Sequence, residues 1–118
     1  MRYVVIRSHR SEFPHPIRLK AGDTFLVGER YDGPESWADW FLCSAFGQEP
    51  GWVPRQVISL QHDGLGVATM DYTALEMDVA VGETVKAGRK LNGWIWCSSP
   101  EEDRQGWVPE QNLQMLDG

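Results

Sequence analysis

The sequence predicts an all-β protein made of two small domains in tandem, and three observations carry that expectation. First, Gly-Trp-Val-Pro occurs twice, at residues 51–54 and 106–109. Its flanks recur in the same order: Trp40-Phe41-Leu42-Cys43-Ser44 matches Trp94-Ile95-Trp96-Cys97-Ser98, and Gly22-Asp23-Thr24 matches Gly82-Glu83-Thr84. The copies lie 55, 54 and 60 residues apart at these three motifs, a period the size of a small autonomous domain and longer than most solenoid repeats. Second, apolar and β-branched residues gather in short runs at 3–6, 24–27, 40–43, 52–53 and 57–60, and again at 66–72, 84–87, 94–97, 107–108 and 113–116, with Gly, Pro, Asp and Ser in the gaps. Third, no long window keeps apolar residues at helical spacing without an intervening Gly or Pro. Regular short strands of this kind build a small barrel or sandwich.

The polar stretch Gln61-His62-Asp63-Gly64 is the expected boundary, giving domains at residues 1–61 and 62–118. It is short, so the two domains are expected to pack on each other. Within each repeat, Ile17 and Leu19, or Met77 and Val79, stand two residues apart and share one face of an extended segment. Gly22 and Gly82 then suit a turn that needs positive φ. Pro54 and Pro109 have no amide hydrogen to donate and are expected at a strand end or edge. Cys43 and Cys97 occupy equivalent places in apolar strands without a CxxC partner, which reads as a small core residue used once per repeat. If both point inward, Trp40 and Trp94, three residues earlier, point outward and should be partly exposed.

Charge is unevenly spread. Residues 1–61 carry seven Lys/Arg and seven Asp/Glu, and residues 62–118 carry four and ten, so the whole net charge of −6 lies in the second half. That argues against a nucleic-acid partner, whose phosphates call for clustered Lys and Arg. The start, Met1-Arg2-Tyr3-Val4-Val5-Ile6-Arg7, is too short in apolar residues for a signal peptide. No stretch is long enough to span a bilayer, so no membrane association and a cytoplasmic location are expected. His9, His15 and His62 have no metal-ligand spacing, Ser98 and Ser99 have no adjacent base, and Gly28, Gly33 and Gly47 do not form a phosphate loop. Glu101-Glu102-Asp103 reads as a solvated hairpin tip. Neither catalysis nor a cofactor is expected.

The ordered motifs resemble Src-homology 3 (SH3) domains in tandem, of the bacterial-type variant class. Ala68-Thr69-Met70-Asp71-Tyr72 resembles the ALYDY segment. The stretch 77–83 resembles the L-x-F-x-x-G-[DE] turn after the RT loop. Trp94-Ile95 stands for the Trp-Trp pair, and Gly106-Trp107-Val108-Pro109 for the closing G-[YW]-[IV]-P motif. In the first repeat the matches are 17–23, Trp40-Phe41 and 51–54. The resemblance implies a five-stranded barrel without catalysis, whose aromatic groove accepts a polyproline II helix. Carried onto this sequence, it assigns ligand contacts to Tyr72, Trp94, Trp107 and Pro109 in the second repeat and to Trp40, Trp52 and Pro54 in the first. Glu76 and Asp78 fall in the RT-loop region, where such acids meet a basic ligand residue; in the first repeat Glu12 is the only acid there. Met70 stands where the first ALYDY Tyr would be, Ile6 and Ser8 where both would be in the first repeat, and Val57 and Asn112 in place of the closing motif's Tyr. Each departure removes a wall or a hydroxyl from the groove.

The leading reading is therefore a non-enzymatic tandem SH3-like module that recognises a Pro-rich or basic peptide or protein segment through aromatic grooves. In the first repeat, a longer loop at 28–39 carrying Pro34, Glu35, Ser36 and Trp37 could fold over that ligand, and Trp96 could extend the aromatic patch of the second. The alternatives are a structural module whose aromatic faces are buried between domains or in a homodimer, and a small-molecule pocket at the domain junction.

Overall fold

The computed structural model describes residues 1–11, 14–31 and 39–116. Among these residues the regular structure is all β, apart from the short 3-10 turns η1 (Arg55–Val57) and η2 (Glu110–Asn112) that follow the two Gly-Trp-Val-Pro strands. The chain forms two compact units, and neither is a contiguous repeat. Unit 1 is Met1–Glu12 with Leu75–Gly118, and unit 2 is Phe13–Ala74.

Unit 1 contains β1 (Arg2–Val5), β9 (Thr84–Leu91), β10 (Trp94–Ser98), β11 (Gln105–Pro109) and β12 (Leu113–Met115), in the sheet order β11-β10-β9-β1-β12. Unit 2 contains β3 (Thr24–Arg30), β4 (Trp40–Ser44), β5 (Gly51–Pro54), β6 (Ile58–Leu60) and β7 (Leu65–Ala68), in the order β5-β4-β3-β7-β6. A two-stranded ribbon of β2 (Arg18–Leu19) and β8 (Tyr72–Thr73) completes it. The strand order is the same in both units, and so is the exchange. The first strand of the first repeat, β1, fills the second repeat's sheet. The first strand of the second repeat, β7, fills the first repeat's sheet.

This differs from the expected division into 1–61 and 62–118. Gln61-His62-Asp63-Gly64 is a hairpin turn inside unit 2, joining β6 to β7. Asp63 and Gly64 adopt φ of 56° and 75°, and the turn is closed by Gln61 N donating to Leu65 O at 2.7 Å and Leu65 N donating to His62 O at 3.1 Å. A short polar Gly-containing stretch serves equally as a linker or as a tight antiparallel turn. Only the pairing of β7 with β6 decides between them.

The repeat equivalences follow from the ladders. Val4 stands opposite Thr84 and Gln114, and Val67 opposite Thr24 and Ser59. Gly82 N donates to Val5 O at 2.9 Å, and Gly22 N to Ala68 O at 2.8 Å. Gly22 and Gly82 both sit at φ +94°, as the turn requires, while Asp23 and Glu83 each accept the amide three residues upstream, at 2.9 and 2.8 Å. The Leu91-Asn92-Gly93-Trp94 connection is a two-residue hairpin with both central residues at positive φ, 44° and 90°.

The core of unit 1 is built from Val5, Met77, Val79, Val85, Ile95, Cys97, Val108 and Leu113, with Tyr3 and Ala87 packed against it. In unit 2 the equivalent Ile17, Leu19, Phe25, Cys43, Val53 and Ala68 are buried. Both cysteines are inward, unpaired and fully buried. The outward exposure expected of the two flanking tryptophans holds for Trp94, which is half-buried, and fails for Trp40, which is only 6% exposed. Strand β10 keeps strict alternation of burial and β4 does not, although both ladders carry the same register shift, of β3 against β4 between Val27 and Arg30 and of β9 against β10 opposite Ile95 and Cys97. Such a bulge bends the strand locally. Trp40 lies opposite the buried Pro54 and Trp94 opposite the buried Pro109, so the strand pairing does not explain the difference between the two tryptophans.

Candidate functional site

Each unit carries a Trp paired across the sheet with a Pro: Trp94 with Pro109 in unit 1, and Trp40 with Pro54 in unit 2. Directly opposed residues of an antiparallel pair project to the same face, so each pair starts one strip. The strip is completed by the extended arms that precede the Gly-acid turns.

In unit 1, residues 75–77 run beside β11. Trp107 N donates to Leu75 O at 2.9 Å and Met77 N donates to Trp107 O at 3.1 Å. The approach is so close that a Cβ on Gly106 would lie 2.6 Å from Met77 N and 2.7 Å from Glu76 C. This is the physical reason for the Gly of the repeated motif; Gly51 is crowded too, there by the side chain of Ile17. The amino-terminal segment pairs with this arm through His9 and Val79, which exchange backbone bonds of 3.0 and 2.9 Å. His9 Nε2 then lies 2.7 Å from Glu76 Oε1, with the two side chains 16% and 14% exposed. The His9 ring also meets Trp94 edge-on, with centroids 5.4 Å apart and planes at 78°. Asp78 is exposed, and its Oδ1 accepts a bond from Ser11 N at 2.7 Å. Arg104 fixes the arm from the other side, donating to Asp78 O at 2.7 Å and to Glu83 Oε2 at 2.9 Å. The bond to Glu83 holds the Arg104 guanidinium more firmly protonated than usual.

Trp107 is 3% exposed. Its ring meets Trp96 edge-on at 5.3 Å, and the Arg89 guanidinium lies 5.8 Å above it. A cation over an indole face is an attractive contact, so this Trp is held by its own unit.

In unit 2, Tyr72 lies on β8 opposite Leu19 of β2. Its hydroxyl donates to Trp52 O at 2.9 Å, and the residue is 6% exposed. Trp52 is half-buried and meets Tyr31 edge-on at 5.3 Å and 89°.

The nine residues assigned from the sequence are therefore regrouped. Trp94, Trp107, Pro109, Glu76 and Asp78 stay together in unit 1, while Tyr72 leaves them and joins Trp40, Trp52 and Pro54 in unit 2. Glu76 is engaged by His9 rather than turned out toward solvent. The ladder also corrects the alignment of the first segment. His9 faces Val79 as Tyr72 faces Leu19, so His9, and not Ser8, stands where the second ALYDY Tyr would be. Sequence reading missed His9 because nothing in the run Val-Val-Ile-Arg-Ser-His fixes its register. Tyr31, beside Trp52, was missed too. Asn112 forms no groove wall: it is 5% exposed, and its Nδ2 donates to Ser8 O at 3.1 Å, clamping the exchanged arm. Glu12 and the loop residues Pro34, Glu35, Ser36 and Trp37 lie outside the described residues.

A family model for the variant SH3 domain matches residues 2–61, just over half of the 118-residue chain. The chain belongs to the variant SH3 family. Its all-β architecture agrees with that membership, and variant SH3 domains act as protein-interaction modules that are in general non-catalytic. No curated protein and no solved structure matched the chain. The variant SH3 match spans β1 to β6 as one continuous stretch, yet β1 belongs to unit 1, where it pairs with β9 and β12, and β2 to β6 belong to unit 2. Among the described residues, no helix is long and apolar enough to cross a membrane.

Proposed function

We propose that both units are SH3-like and that the chain is a non-enzymatic binding module for an extended peptide or protein segment, with unit 1 as the principal site. The observation that supports this most is the half-buried Trp94, opposite the buried Pro109, in the unit that also carries the exposed carboxylate of Asp78. A flat indole beside a rigid Pro offers a ridge and a slot to an extended backbone, and the indole N–H can meet a ligand carbonyl. Asp78 favours a basic residue in the partner. Glu76 is a poorer anchor because His9 already engages it. The strip of unit 2, with Tyr72, Trp40, Trp52 and Pro54, is the secondary surface, since three of its four residues are nearly inaccessible. A basic extended segment fits this reading better than a strictly Pro-rich one. His9 stands in the place of the second groove Tyr of unit 1, and the one such Tyr of unit 2 spends its hydroxyl on its own backbone. The unpaired buried thiols Cys43 and Cys97 agree with a reducing, cytoplasmic setting.

The test is selection of a phage-displayed library of random short peptides on the whole chain. Binders rich in Arg or Lys should be enriched, and capture should fall at least tenfold, about 1.4 kcal/mol, on Trp94→Ala. Equal enrichment on a folded variant carrying both Trp94→Ala and Asp78→Asn would refute the site.

A further inference from the structure

The exchange of β1 and β7 is written into side-chain size. The inward positions of β3 are Phe25 and Val27, and the strand beside them carries Gly66 and Ala68. The equivalent positions of β9 are Val85 and Ala87, and the strand beside them carries Tyr3 and Val5. Each unit thus combines large residues on one strand with small ones on the next. Gly66 has no room for more: a Cβ there would lie 2.8 Å from Val27 Cγ2 and 2.9 Å from Phe25 Cε2. Tyr3 occupies the equivalent place in unit 1 and packs against its core. If each repeat kept its own first strand, Tyr3 and Val5 would be forced onto Phe25 and Val27. Gly66 and Ala68 would leave a void against Val85 and Ala87. Overpacking and cavities both destabilise a core, so the contiguous pairing is disfavoured at both sites at once.

From this we infer that the amino-terminal segment Met1–Ser11 is a donor strand keyed to the slot between β9 and β12, and that a second copy of the chain accepts it there, giving an arm-exchanged dimer. An arm that leaves its slot cannot enter the slot of its own repeat, because Phe25 and Val27 exclude Tyr3. Its destinations are its own slot or the identical slot of another copy. The contacts are the same in either case: the ladders of Arg2, Tyr3 and Val4 with β9, the ladder with β12, the Asn112 clamp on Ser8, and the His9–Glu76 bond. Exchange of identical elements is a low-cost route to dimers, and concentration decides between the closed and exchanged forms.

The test is refolding of the whole chain from denaturant over a wide range of concentration, with mass read by light scattering after gel filtration. The dimer fraction should rise with refolding concentration. An excess of a synthetic peptide of residues 1–11 should lower the dimer yield several-fold, and the same peptide carrying Tyr3→Gly should not. Monomer at every concentration would overturn the inference, as would a dimer yield indifferent to the peptide or lowered equally by both peptides.

Discussion

His9 and Glu76 are 67 positions apart in the chain, yet His9 Nε2 lies 2.7 Å from Glu76 Oε1. Each belongs to a different repeat, and they meet because the first arm of one repeat pairs with the second arm of the other through the His9–Val79 bridge. The bond joins the exchanged segment to the strip that carries Trp94, so a single imidazole serves strand exchange and groove structure together.

Replacing His9 with Ala should remove that bond and the edge contact on Trp94. A largely buried carboxylate would be left without its partner, which costs about 1–3 kcal/mol. Urea unfolding should register the loss. A double-mutant cycle with Glu76→Ala should give a coupling of about 0.5–3 kcal/mol. Additivity of the two single changes would contradict the described contact.

Gly106→Ala should be among the most disruptive single substitutions in the chain. Its Cβ would press on the backbone at Met77 N and Glu76 C, at 2.6 and 2.7 Å, and backbone cannot rotate away as a side-chain tip can. A loss of about 2–4 kcal/mol is expected. A midpoint of thermal unfolding unchanged by the substitution would contradict the close approach of the 75–77 arm.

Burial pushes the thiols of Cys43 and Cys97 up from the ordinary value of 9.0 to about 11. Since the folded-state value is raised above the unfolded one, the associated stability is fully present below about pH 9 and is lost as pH rises from there through about 11. A Cys43→Ala, Cys97→Ala variant should show a flatter stability profile across that window. At about pH 8 a thiol reagent should label the native chain slowly and the unfolded chain rapidly.

Binding of a basic peptide selected on the chain should weaken with added salt, because Asp78 acts from the solvent-exposed rim. Asp78→Asn should reduce the salt slope along with the affinity. Isothermal titration at several ionic strengths gives both quantities, and a slope unchanged by the substitution would remove Asp78 from the recognition surface.

Most of the strands were legible because their signals are local. Equivalent places in apolar strands mark Cys43 and Cys97 as core residues, the Gly-acid pairs mark two identical turns, and Pro54 and Pro109 close two strands. Trp40 is buried although its neighbours in the sheet match those of Trp94, a shifted strand on one side and a buried Pro on the other, so alternation alone does not decide its exposure. Tyr72 stands with Trp52 rather than with Trp94 and Trp107, because neighbours in sequence part company in space once β1 and β7 are exchanged. The turn at 61–64 looked like a linker because the residues that make a flexible joint also make a tight hairpin.

The sequence by itself determined the all-β class, the recurrence of its motifs in one order, the inward thiols and the inventory of aromatic and acidic side chains, since each rests on patterns spanning a few residues. Which first strand completes which sheet was decided by tertiary structure alone. Backbone hydrogen bonding is the same for either strand and cannot choose between them. The choice falls to packing, where Gly66 makes room for Phe25 and Tyr3 fills the space that Val85 leaves.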